Sequence, residues 1–350
     1  MPATGFVQHP LYLQHVIDDY HPESPLRLQS IYQMVEDEFS GRLTQVEPRE
    51  ATHEEIGWVH GRDYIKLVES TEGDYLRLDP DTSACPFTYR ASLLAAGGLL
   101  AAVDAVFDGR VNNAFAAIRP PGHHAEKNRA MGFCIFNNVA VAAEYAMRRH
   151  GCKRVLIFDW DLHHGNGTQH SFETTRAVLY MSTHQYPYYP GTGAFQEVGR
   201  GEGEGYTVNM PLATGYGSGD YLMLIERIIR PIALAYRPDL ILISAGYDIY
   251  EGDPLGGMQV SPAGFGAMTH HMIDLADRCC GGKLVLTLEG GYHIKGLTKS
   301  VRGTLQVMLD GQADPAWLRQ EPLNPIGINK VVANVINNHR EYWPALLASA

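Results

Sequence analysis

Between residues 154 and 170 the chain reads RVLIFDWDLHHGNGTQH, an apolar run that ends in groups able to hold a metal ion or move a proton. Asp159, Asp161, His163, His164 and Asn166 follow directly on Val155–Phe158. Carboxylates and imidazoles are costly to desolvate unless they are paired or bind a metal. Asp161 and His163 are two residues apart, so in an extended segment both point to one face and can share one cation. Gly165 and Gly167 are then expected to let the chain turn sharply. Asp248 follows the apolar run DLILISA and is bracketed by Gly246 and Gly252. Alone it reads as a loop-capping carboxylate; beside Asp161 and His163 it can supply a third ligand. Two carboxylates, one imidazole and an open position describe a catalytic metal site, with Zn²⁺ first and Fe²⁺, Co²⁺ or Mn²⁺ accepting similar ligands. The sequence has no Cys-x-x-Cys pair for a structural zinc site.

Water activated at a metal needs a base, and an amine leaving group needs an acid; histidine does both near neutral pH. His123 and His124 follow the rigid Arg119-Pro120-Pro121-Gly122 turn and can face a substrate side by side. Each needs a partner on its far ring nitrogen, and Asp159 and Asn166, which flank the metal loop, are the candidates. Tyr292 follows Gly290-Gly291, and a phenol there can donate a hydrogen bond to a polarised carbonyl.

These groups lie in four segments, 119–133, 159–168, 245–258 and 289–293, each following a short apolar run read as a strand. Strands are expected at 114–118, 155–158, 177–181, 206–210, 239–244 and 283–288. Helices are expected near 90–107, 139–150, 219–236, 262–279 and 296–310, with two short ones in 52–69 split at Gly61. Residues 1–30 read as loop, closing on a helix start with Ser24 as cap and Pro25 in the first position. Residues 74–89 and 184–205 read as loops, the second long and aromatic, and the tail after 311 as less regular. Alternating strands and helices indicate an α/β fold, three layers with a mainly parallel central sheet. In such a sheet the four segments open on one edge, where chemistry is placed. No linker, repeat or low-complexity segment interrupts 1–350, which reads as one domain with a core over about 10–310 and a tail over 311–350.

The 350 residues are 45% hydrophobic and 19% charged, with a net charge of −11. An acidic balance excludes nucleic-acid binding through a basic field. Five cysteines without framework spacing, two of them the adjacent Cys279 and Cys280, point to free thiols in a reducing, cytoplasmic compartment. The N-terminal stretch has neither a basic start nor an apolar core and does not read as a secretory signal, and no 18-residue apolar run is seen to span a membrane.

RPPGHHAEKNRAMGFCIFNN, DWDLHHGNGTQ, SAGYDIYEGDPLGG and LEGGY resemble, in order and spacing, the signature segments of the histone deacetylase family. The resemblance runs from about residue 10 to 310. HHGNGTQ and DPLGG are similar to its class II branch and to bacterial histone deacetylase-like amidohydrolases; class I members usually carry Asp at the Asn166 position. The resemblance implies the arginase/deacetylase fold, with zinc held by Asp161, His163 and Asp248. It makes His124 general base and then acid, and His123 an electrostatic partner oriented by Asp159, with Asn166 behind His124. Tyr292 would polarise the amide carbonyl. Gly132 and Phe133 would line a narrow tunnel opposite Tyr189, where the family more often has Phe. Leu255 sits where polyamine-specific relatives carry a carboxylate, and a leucine there implies a preference for acyl-lysine instead. Arg27 matches an internal arginine near the tunnel floor. A structural potassium ion would sit at the backbone near Asp159, Asp161, His163 and Ser182.

The implied activity is hydrolysis of an acyl-amide, with an acylated lysine peptide or protein, or a small acylated amine, as substrate. Homo-oligomerisation is left open. Three rivals remain: a binuclear manganese hydrolase, which needs further ligands beside His123, His124 and Asp248; a catalytically silent acyl-lysine-binding module; and an acetylpolyamine or other small-molecule deacylase.

Overall fold

The structure, a computed structural model, describes residues 3–18 and 20–348. Its strands are β1 (Thr4–Val7), β2 (Thr44–Gln45), β3 (Leu76–Asp79), β4 (Thr82–Ala84), β5 (Asn113–Ala116), β6 (Val155–Asp159), β7 (Val178–Gln185), β8 (Thr207–Leu212), β9 (Leu240–Ala245) and β10 (Leu284–Leu288). Its helices are α1 (Leu26–Phe39), α2 (His53–Ile56), α3 (Arg62–Glu69), α4 (Thr88–Phe107), α5 (Asn138–Arg149), α6 (Asn166–Phe172), α7 (Ser218–Leu224), α8 (Arg230–Tyr236), α9 (Pro262–Cys280), α10 (Ile294–Asp310), α11 (Pro325–His339) and α12 (Ala345–Ala348).

Eight strands form one sheet in the order β2-β1-β5-β10-β9-β6-β7-β8, with every neighbouring pair parallel. The central strands VLIFD, LILISA and LVLTL are buried along their whole length, as a sheet covered on both faces requires. α4 and α5 pack together as one helical group on the sheet, and α1, α9 and α10 as another. This is the expected α/β/α layering. β5, β10, β9 and β6 are consecutive neighbours, so the four polar segments that follow them leave the sheet side by side.

Several local expectations change. Residues 1–30 are not all loop: Thr4–Val7 pairs with β5 in the sheet, and a 3₁₀ turn covers Pro10–Gln14. α1 starts at Leu26, one residue later than expected, and Ser24 serves it through its carbonyl, which accepts from Arg27 N, rather than through its side chain. Residues 74–89 hold an antiparallel hairpin of β3 and β4 with Asp81 in its turn. β7 runs on to Gln185, so Ser182 and His184 belong to the strand. The helix over 219–236 is interrupted by a π-turn at Ile225–Ile229, just ahead of Pro231, which has no N–H to donate. The tail is more regular than expected: α11 packs on β8 and α7.

α4 also corrects the membrane reading, because its 20 residues are long and apolar enough to cross a bilayer. It is buried inside the fold instead, among Val7, Tyr12 and Ala51. A Cβ on Gly97 would meet Arg49 O at 1.8 Å, so its glycines allow close backbone approach.

Candidate metal centre and active site

β6 ends at Asp159, and the chain bends before it reaches Asp161. The period-two placement expected for Asp161 and His163 therefore does not apply. Hydrogen bonds put them together instead. Asp161 Oδ1 accepts from His163 N at 2.9 Å, and Asp248 Oδ1 accepts from Leu162 N at 2.9 Å, which pins the loop after β9 to the loop after β6. His163 Nδ1 then lies 3.2 Å from Asp161 Oδ1 and 3.1 Å from Asp248 Oδ2.

One donor atom from each of Asp161, His163 and Asp248 falls within 4.8 Å of the others, and both carboxylates are fully buried. The surrounding backbone comes so close that side chains are excluded. A Cβ on Gly246 would sit 2.1 Å from Asp161 Oδ2, and one on Gly290 would sit 2.2 Å from Asp248 Oδ2. Burial and the neighbouring Asp161 charge push Asp248 up to about 7. Burial opposes charge on His163, but bonds to Asp161 and Asp248 outweigh it and raise it to about 9. A buried pair of carboxylates that draws in a proton is a site short of positive charge, and a divalent cation fits that donor set.

Glycine matters at 165 and 167 for closeness rather than for turning. Gly165 has φ −76°, open to any residue, yet a Cβ there would lie 2.3 Å from Asp159 Oδ2. A Cβ on Gly167 would lie 2.1 Å from Ala125 O. These contacts seat the start of α6 against the two-histidine segment.

His123 Nδ1 donates to Asp159 Oδ2 at 3.0 Å, and His124 Nδ1 lies 2.8 Å from Asn166 Oδ1. The rings stand 4.0 Å apart, both buried. Their environments separate them. Burial disfavours a charged His123, but the Asp159 and Asp161 carboxylates prevail and hold it at about 10. Burial, then the His123 and His163 charges, drive His124 well below its ordinary value. One imidazole is kept cationic and its neighbour neutral, the separation expected of an acid–base pair.

Tyr292 sits beyond Gly291, whose φ is +115°. Burial holds its phenol well above its ordinary value, so the hydroxyl stays a donor. Its ring meets Phe133 edge-on at 5.9 Å. The Arg27 guanidinium lies 5.0 Å over the ring, while Arg27 Nε donates to Gly291 O at 2.7 Å, so Arg27 supports the Tyr292 turn from within the core.

A cavity of about 150 Å³ is lined by Asp81, His124, Gly132, Phe133, His163, Tyr189, Leu255 and Tyr292. Gly132 (φ +57°) and Phe133 (φ +68°) are both left-handed, which aims the Phe133 ring into the opening. Tyr189 stands 5.1 Å from the His124 ring, nearly perpendicular to it. Tyr188 stacks on His163 at 5.8 Å and donates to Leu255 O at 3.0 Å. Ser182 lies opposite Asp159 across β6 and β7, and both are buried.

Sequence reasoning missed three carboxylates here. Glu289 accepts from Gly122 N at 2.7 Å and His123 N at 3.2 Å, and from Ser244 Oγ at 3.1 Å, which fixes the histidine segment to β9 and β10. Asp253 accepts from Leu255 N, Tyr292 N and His293 N, and so joins two lining residues of the cavity. Asp81 accepts from Gly132 N at 3.0 Å. The first two stood in the quoted motifs LEGGY and DPLGG; Asp81 stood in a segment read as plain loop.

His123, Cys134 and Glu289 also bring donor atoms within 4.8 Å of one another, a second group that the sequence did not reveal. Its atoms are committed elsewhere: Glu289 to three donors, His123 Nδ1 to Asp159. Burial also holds the Cys134 thiol well above its ordinary value, against thiolate formation. A two-metal centre gains no support from it.

The histone deacetylase domain model matches residues 21–308. Histone deacetylase 15 of Arabidopsis thaliana is 42% identical over 94% of this chain and 60% of its own length. Polyamine deacetylase HDAC10 of Homo sapiens is 41% identical over 78% of this chain and 42% of its own length. The chain thus spans less than two thirds of the length of either relative. The crystal structure of the HDA15 HD domain superposes with a TM-score of 0.92 at 40% identity, covering 99% of this chain and 97% of that one. Sequence match and three-dimensional likeness extend over the same segments that build the site, and the chain belongs to the histone deacetylase family.

Proposed function

We propose that this protein is a metal-dependent amidohydrolase that removes acetyl, or another short acyl group, from the side-chain amine of lysine in peptides or proteins. The observation that carries this reading is the narrow aromatic cavity ending on His124, His163 and Tyr292. A slot between Phe133 and Tyr189 accepts a slender alkyl stem and delivers the amide at its end to the polar floor.

Zinc held by Asp161, His163 and Asp248, with Fe²⁺ or Co²⁺ as substitutes, would polarise the amide carbonyl and lower the pKa of water. The remaining chemistry belongs to the chain. Neutral His124 takes a proton from the attacking water and returns it to the departing amine. His123, kept cationic by Asp159, adds positive charge beside the reacting centre. The Tyr292 hydroxyl donates to the carbonyl oxygen as that oxygen gains negative charge. A potassium ion among the oxygens of Asp159, Asp161, His163 and Ser182 belongs to the same proposal. So do a single domain over 1–350 and a cytoplasmic location, the latter supported by five free cysteines.

A second reading, deacetylation of acetylpolyamines, draws on the likeness to a polyamine deacetylase and on Asp81, a carboxylate in the cavity wall that could meet a second ammonium. Leu255 weighs against it, because an apolar rim offers a cation no counter-charge. Zinc-loaded protein assayed on acetyl-lysine peptides and acetylated polyamines separates the readings. Faster turnover of the peptides is expected; faster turnover of the polyamines installs the second reading. Tight peptide binding without turnover of either would indicate a silent binding module.

A further inference from the structure

The segment RPPGHHAE ends in a carboxylate that the reaction above leaves unused. Glu126 lies two residues beyond His124, on the far side of Asn166 from the cavity. Its Oε1 accepts from Asn166 Nδ2 at 2.5 Å and lies 2.8 Å from Nδ1 of the part-exposed His170. The other end of the same amide, Asn166 Oδ1, lies 2.8 Å from His124 Nδ1.

Amide ends are told apart by what surrounds them. Asn166 Nδ2 faces Glu126 Oε1, the His124 carbonyl at 3.3 Å and the Met131 Sδ at 3.4 Å. An ionised carboxylate, a carbonyl and a thioether all accept and none donates. A flipped amide would set its oxygen against all three. The orientation is therefore fixed, and Oδ1 must face His124. An amide oxygen only accepts, so the bond to it requires a proton on His124 Nδ1. A neutral imidazole has one ring proton, which leaves Nε2 with a free lone pair.

Glu126 is itself held rigidly. His60 Nε2 accepts from Asn137 N at 2.8 Å, so His60 Nδ1 is the donor to Glu126 O at 3.0 Å, and Glu126 N donates to Arg129 O at 2.9 Å. Burial opposes charge on Glu126, but the bonds to His170 and Asn166 prevail and hold its carboxyl below the ordinary range, so it is ionised and unable to donate back. Glu126 and His170 border a separate solvent groove with Trp58 and Lys127, away from the aromatic cavity. The two histidines are thus oriented differently: His123 bonds a carboxylate directly, whereas His124 reaches one only through an amide.

We propose that Glu126 is a positioning residue for His124: by locking the Asn166 amide, it holds neutral His124 as the Nδ1–H tautomer with Nε2 free to take a proton. The catalytic part of this rests on the amidohydrolase reading; the tautomer does not.

The test uses zinc-loaded protein with ¹⁵N-labelled histidine, in which long-range ¹H–¹⁵N spectra read the His124 tautomer, alongside kinetics on acetyl-lysine peptides. Glu126→Gln keeps the shape but lets either amide end face Asn166. The expected result is a mixture of His124 tautomers, kcat lower by about 10-fold, a fraction of what a positioned base contributes, and KM, zinc content and melting temperature unchanged. Asn166→Asp alone sets two carboxylates in contact and is expected to lower kcat further. Adding Glu126→Gln to Asn166→Asp lets the glutamine amide donate to the new carboxylate, and kcat is expected to recover. A single Nδ1–H tautomer in Glu126→Gln overturns the proposal, as does a double variant no better than Asn166→Asp. Loss of zinc or a raised KM in Glu126→Gln also overturns it, by showing a structural role. If the wild type has no amidohydrolase activity, the functional reading falls while the tautomer measurement still decides the role of Glu126.

Discussion

The Asp253 carboxylate holds Tyr292 by its backbone: Oδ2 accepts the Tyr292 N–H at 2.7 Å and the His293 N–H at 3.0 Å. Oδ1 of the same group accepts the Leu255 N–H at 3.0 Å. One carboxylate thus ties together two residues that line the cavity, Tyr292 and Leu255. Asp253→Asn turns an NH₂ toward one of these donors and leaves an N–H unpaired, at about 1–3 kcal/mol. A lower melting temperature and a lower kcat with retained zinc are expected. An unchanged kcat would show that packing on Phe133 and Arg27 is enough to place Tyr292.

Asp161→Ala, His163→Ala and Asp248→Ala are each expected to abolish deacylation and lower bound zinc, measured by elemental analysis beside activity. Chelation should do the same to the wild type, with zinc restoring it. An Asp248→Ala protein with a full zinc complement and normal turnover would remove Asp248 from the metal shell.

Tyr292→Phe keeps the ring between Phe133 and Arg27 and deletes only the hydroxyl. A donor that strengthens its bond as charge develops raises turnover more than affinity. Its loss is expected to cost about 100- to 1000-fold in kcat, with zinc content unchanged. Wild-type turnover in this variant would make Tyr292 an ordinary rim tyrosine.

Phe133→Ala opens one wall of the slot and should raise KM for acetyl-lysine peptides; unchanged kinetics would place the entrance elsewhere. Leu255→Glu adds a carboxylate near Asp81 and should move the substrate ratio toward acetylated polyamines, because the added charge pairs with a second ammonium. A constant ratio in the substrate panel would show that Leu255 takes no part in selection.

His339, at the end of α11, is buried, and among the described residues neither ring nitrogen has a hydrogen-bond partner. Burial pushes it down to about 4. The unfolded chain takes up this proton near pH 6.5, so stability is constant above that and falls as the pH drops from 6.5 to about 4, by up to about 1.4 kcal/mol per pH unit. His339→Leu should flatten that part of the stability–pH curve in denaturant melts. An unaltered slope would assign it to other buried histidines such as His60 and His184.

The alternation of apolar runs with helical periods was enough for the parallel α/β class, because a strand buried on both faces shows as an unbroken run such as VLIFD or LILISA. The polar segments after those runs were legible for the same reason: Asp161, His163, Asp248, His123, His124 and Tyr292 stand out where an apolar strand ends. What brings them together was not legible. β5, β10, β9 and β6 are neighbours only in space, and strand order depends on crossovers that no local pattern encodes. Strand β1, next to the edge strand β2, and the hairpin of β3 and β4 are short, and α11 lies far along the chain from β8, which it covers. Nothing in their own residues required those pairings. The supporting carboxylates were hidden for a related reason. Glu289, Asp253 and Glu126 act on groups 166, 39 and 40 positions away, as His123, Tyr292 and Asn166. A residue's type says what bonds it can make, but its partner is decided by packing, because a hydrogen bond depends on distance through space and not along the chain.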